Sequence, residues 1–68
     1  MKRGDILKLT EEGLDVMCGG DEGKRLMLAS RRFEYRCKEK NHQNALTVRR
    51  LWGKQSYTAY HRSFLEPA

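Results

Sequence analysis

Two cysteines and two histidines in this 68-residue chain, Cys18, Cys37, His42 and His61, supply the thiols and imidazoles that a zinc site or a nucleophile–base pair draws on. Their number matches a tetrahedral zinc site, but their spacing does not. Recognisable sites carry local chelates, two cysteines or two histidines a few residues apart, and neither pairing occurs. Cys37 alternates with Phe33 and Tyr35, which predicts a buried thiol on the apolar face of a strand. His61 stands two residues before Ser63, yet no nucleophile elbow surrounds that serine, so the histidine is expected to close a turn through a hydrogen bond. Gly19, Gly20 and Gly23 surround Asp21 and Glu22. Two carboxylates would repel a phosphate, no Gly-Lys-Ser/Thr run follows, and the acids lack the spacing of a calcium loop. A helix stop and a turn are expected there. No catalytic residue, metal site, cofactor or small-molecule substrate emerges, and the chain reads as a non-enzymatic binding module.

The chemistry that does stand out is cationic. Residues 1–23 hold six acids and three bases, whereas residues 24–68 hold eleven bases and three acids, within a formal net charge of +5. Such a split predicts a positive surface able to meet a polyanion. Arg32, Arg36 and Lys38 alternate with apolar residues and are expected on the outward face of one strand, with Arg49 on its neighbour and Arg50 and Lys54 close by. Arginine suits phosphate because its planar fork engages two oxygens at once. Trp52, Tyr57 and Tyr60 supply aromatic faces on which unpaired bases stack. The expected partner is DNA or RNA. The alternative is a protein partner docked in an aromatic groove built from the same three rings, with no role for nucleic acid. The plainer account of the charges is a solvated exterior that maintains solubility.

The elements that must position these residues are short. Gly4–Leu9 reads as a first strand. Thr10 is a good helix N-cap, Glu11 and Glu12 suit the positive end of a helix dipole, and Gly19-Gly20 stops a helix over 11–18. Gly13 weakens that helix by about 1 kcal/mol relative to alanine. Arg25–Ser30, Arg32–Lys38, Ala45–Trp52 and Ser56–His61 read as further strands, the second either continuing the first or beginning anew after a bend at Arg31-Arg32, with Arg62-Ser63 as a turn or a single helical turn. The expected core is Leu7, Leu9, Leu14, Leu26, Leu28, Phe33, Tyr35, Leu46, Val48, Leu51 and Phe64. Several short strands in one small domain, residues 1–68, favour an all-β antiparallel barrel, which also removes exposed edges.

The start of the chain lacks the apolar core of a secretory signal, and no apolar run is long enough to span a bilayer. The two cysteines form no dense disulfide pattern. A cytoplasmic setting with free thiols and no membrane partner is expected.

Two segments carry a resemblance. Lys2-Arg3-Gly4-Asp5-Ile6-Leu7-Lys8-Leu9-Thr10 resembles the opening of SH3-like barrels, including KOW-type modules of ribosomal proteins and transcription factors. Val48-Arg49-Arg50-Leu51-Trp52-Gly53, followed by Tyr60-His61-Arg62-Ser63-Phe64-Leu65-Glu66-Pro67, resembles small SH3-like proteins encoded in phages and prophages. Together they cover roughly a third of the chain, and they imply a small SH3-like antiparallel barrel with one short helix after the first strand. KOW modules run from the first strand through a glycine-centred loop directly into the second. Here an acidic stretch intervenes, so no functional residue is transferred, and the fold by itself assigns no activity.

Overall fold

The computed structural model describes residues 2–68. Its element order is β1 (Ile6–Leu9), α1 (Glu11–Cys18), α2 (Glu22–Ala29), β2 (Phe33–Lys38), β3 (Ala45–Arg50), β4 (Tyr57–His61), a 3-10 turn (Arg62–Phe64) and β5 (Leu65–Pro67). The strands form one antiparallel sheet in the order β4-β3-β2-β1-β5. Its two edges, β4 and β5, do not meet. The molecule is therefore a small α+β fold built on an open sheet, and the expected closed all-β SH3-like barrel is wrong.

The reason lies in residues 22–29. The predicted strand at Arg25–Ser30 is a helix. Asp21 caps it, its carboxylate accepting from the Lys24 N–H at 3.0 Å, and Glu22 stands in the first turn. The run that follows contains no β-branched residue and is rich in good helix formers. A sheet must bury one face. A barrel does so against itself, whereas here α1 and α2 supply the second layer, so closure is unnecessary.

The core lies between those layers: Leu7, Leu9, Leu14, Cys18, Leu28, Phe33, Tyr35, Leu46, Val48 and Leu65. Met17, Trp52, Tyr60 and Phe64 pack around it. Leu28 is buried as expected, but Leu26 is 73% exposed because two positions along a helix turn a side chain to nearly the opposite side. Leu51 is only half-buried. Leu65 pairs with Leu9 and is buried, and with Phe64 it pins the end of the chain to the core. α1 follows its expected span, with the Thr10 hydroxyl accepting from the Gly13 N–H at 3.1 Å and Gly19 in the left-handed region at φ 60°. That hydroxyl also donates to the Ser63 carbonyl at 2.7 Å, and the Thr10 N–H donates to the Phe64 carbonyl at 2.8 Å, so one residue joins helix to 3-10 turn.

A bulge in β2 changes which side chains face outward. Tyr35 pairs with Val48, but Cys37 pairs with Thr47 and Lys38 with Leu46, so β2 advances two residues while β3 advances one. The faces exchange at that point. Cys37, expected to be buried, is exposed on the uncovered side. Lys38, expected outward, stands on the same face as Leu46.

Candidate nucleic-acid interface

The charge split along the chain becomes a split between layers. The helical segment 11–29 holds five acids and two bases, a net of −3, and the rest of the chain holds twelve bases against four acids, a net of +8. Arg25 belongs to the acidic side. It forms ion pairs with Glu11 at 2.6 Å and with Asp15 across the helix pair. The hydrogen bond with Asp15 raises its pKa above the ordinary arginine value. The raised pKa means that Arg25's contribution is complete below that ordinary value and fades only as pH climbs beyond it. This guanidinium therefore stays charged and engaged at neutral pH.

The outer face of the sheet has no covering layer. Register places Glu34 opposite Arg49, and Arg49 opposite Tyr57. Arg36 Nη1 donates to Glu34 Oε1 at 3.2 Å, and Arg49 Nε donates to the same oxygen at 3.0 Å. Arg49 Nη1 also donates to Gln55 Oε1 at 2.9 Å. The Arg36 guanidinium lies 5.9 Å from the centre of the Tyr57 ring, and that tyrosine is 61% exposed. Arg3, Arg36, Cys37, Thr47 and Tyr57 line one open cleft on this face. Three guanidinium-bearing residues thus gather beside an exposed ring, with a single carboxylate holding two of them in position.

The other candidate residues stand elsewhere. Arg50 pairs with Phe33 and faces the core side, its guanidinium 5.7 Å from the centre of Trp52, while Arg31 lies 5.1 Å from the same ring. Arg50 Nε is buried with no hydrogen-bond partner. Arg32 donates to the Ala29 and Arg31 carbonyls at 3.0 Å, closing the end of α2. Lys54 is exposed in the β3–β4 turn, and Lys38 is turned away by the bulge. The three aromatics share no groove. Trp52 and Tyr60 each pack edge-on against Phe33, at 5.0 and 5.3 Å between centroids, whereas Tyr57 points to the opposite face. Arg3, absent from the sequence-derived set, joins the outer cleft because Gly4, at φ 96°, turns the chain back and donates to the Tyr35 carbonyl at 2.8 Å. The glycine after two bases was the only sequence signal for that turn.

No group of three or more metal-ligating side chains occurs among the described residues. His61 Nδ1 accepts from the Ser63 N–H at 3.1 Å and lies 2.7 Å from its hydroxyl, which caps the 3-10 turn. No helix among the described residues is long and apolar enough to cross a membrane.

The fold and site define an open-faced α+β domain with an acidic helical layer and a basic sheet layer. No protein-family model matches the chain, and no curated protein or solved structure matches it.

Proposed function

We propose that the protein is a non-enzymatic nucleic-acid-binding module that receives a single strand on the outer face of its sheet. The observation that carries this reading is the uncovered cluster of Arg3, Arg36, Arg49 and Tyr57 on the outer face of the sheet. Glu34 holds Arg36 and Arg49 beside Tyr57 but also offsets part of their charge, so an incoming phosphate competes with its carboxylate. Tyr57 offers its ring to an unpaired base, and such stacking is worth about 1–3 kcal/mol per base. A duplex presents no unstacked base to it, which favours single strands. The acidic helices face the other way and leave the polyanion an oriented approach.

The test is fluorescence anisotropy with labelled single- and double-stranded DNA and RNA across a salt series. Affinity for single strands is expected to fall with log salt at a slope of about −0.7 per phosphate neutralised. Arg36→Glu combined with Arg49→Glu is expected to weaken binding by tenfold or more. No binding to any of the four at low salt, or unchanged binding by the double variant, would overturn the reading.

A second reading, a protein-interaction module, is favoured by one observation. Val16, Leu26 and Met27 on the helical layer are 62%, 73% and 47% exposed, more apolar surface than helices packed on a sheet need to show. Capture of a protein that survives nuclease treatment and is lost in Leu26→Ser, with oligonucleotide binding absent, would select it.

A further inference from the structure

The β2 bulge does more than expose Cys37. It turns Lys38 onto the face that otherwise builds the core, directly opposite Leu46. Lys38 stays exposed there, so its ammonium is solvated and free to meet a ligand. Lys38 forms no ion pair among the described residues, and neither does Arg62. Both line one cleft of about 220 Å³ with Gln43, Tyr35 and Leu46. Tyr35 and Leu46 are buried and form the floor, and the rim carries two cations and an amide.

No carboxylate lines the cleft. The acid nearest in sequence, Glu39, is engaged instead by the hydroxyl of Thr47, which stands on the opposite face of the sheet. The walls are fixed relative to each other. The Arg62 N–H donates to the Asn44 carbonyl at 2.6 Å, tying the 3-10 turn to the β2–β3 loop, and the Glu39 N–H donates to the Ala45 carbonyl at 3.0 Å. Bulges recur beside functional sites because they re-aim a side chain. An apolar hollow with a few convergent polar groups is the common form of a small-ligand site.

We propose that this cleft binds a small organic anion, its carboxylate or phosphate head held by Lys38, Arg62 and Gln43 and its apolar body resting on Tyr35 and Leu46. The volume lies below that of pockets for drug-sized ligands, so the body is about one ring in size. The site faces away from Arg36, Arg49 and Tyr57 and stands independently of nucleic-acid binding.

Benzoate and phenyl phosphate are the probes, titrated into the isotopically labelled protein and followed by two-dimensional amide NMR. Saturable shifts are expected at the Gln43 side-chain amide and at the backbone of Lys38 and Leu46. The probe that binds tighter identifies the head group. Lys38→Gln and Arg62→Gln are each expected to weaken binding roughly tenfold, the loss of one charge-assisted hydrogen bond. Arg49→Gln is expected to leave it unchanged. Each spectrum also reports whether its variant is folded. The proposal is overturned if neither probe saturates, if benzyl alcohol or inorganic phosphate binds as well as the probes, or if a folded Lys38→Gln and a folded Arg62→Gln both retain full affinity.

Discussion

Gly13→Ala sets two physical effects against each other, and their signs differ. Helix propensity alone favours alanine by about 1 kcal/mol in the interior of α1. The backbone there is helical and needs no positive φ, so alanine is conformationally acceptable. The tertiary contact opposes it. A Cβ at position 13 would lie 2.7 Å from the Phe64 carbonyl oxygen and 3.1 Å from its Cα and Cβ. Two of those three atoms are backbone, so a rotamer change cannot clear them. The 3-10 turn must move away from α1. Overpacking of this kind costs about 1–3 kcal/mol. Movement also stretches the Thr10–Phe64 and Thr10–Ser63 hydrogen bonds, each worth about 1 kcal/mol. After the propensity gain, a net loss of about 1–3 kcal/mol remains. In a domain of this size each kcal/mol lowers Tm by about 4–8 °C. Urea and thermal unfolding followed by circular dichroism measure it directly. An alanine variant as stable as the parent, or more so, would refute the argument that this glycine exists for a close approach.

Thr10→Val keeps the side-chain shape but loses both the cap to Gly13 and the bond to the Ser63 carbonyl, so urea unfolding should show a loss of about 1–2 kcal/mol, while Thr10→Ser restores most of it. Its effect should not add to that of Gly13→Ala, because both act on one junction. In the folded protein a thiol-reactive disulfide reagent should label Cys37 rapidly and Cys18 only as the chain opens, giving one fast equivalent. Glu34→Gln removes the carboxylate that Arg36 and Arg49 share, and the oligonucleotide assay should show tighter binding at low salt with a slope steeper by about one counterion; weaker binding would mean that positioning by Glu34 outweighs its competition.

Much of the architecture is written locally. The Thr10 cap and the Gly19-Gly20 stop bound α1, and the alternation of Phe33 and Tyr35 with charged residues marks β2, because capping and pleat periodicity depend on neighbours within a few residues. The same local signals exist at Asp21 and in the alanine-, leucine- and lysine-bearing run after it, but apolar residues at 26 and 28 also satisfy a strand period, and a short segment leaves both periods open. Packing chose the helix, which put Leu28 in the core and Leu26 in solvent.

The sequence by itself determined the charge polarity of this protein, since the order of acids and bases along the chain survives folding as an acidic helical layer over a basic sheet. It also determined most of the apolar set that fills the core. Only the tertiary structure decided which cations meet. Arg36 and Arg49 converge because two strands pair in one register, Arg3 joins them through a turn at Gly4, and Lys38 leaves them because β2 spends one extra residue against β3. Register and bulges depend on a partner strand distant in sequence, and a single-residue slip moves a side chain from one face of a sheet to the other.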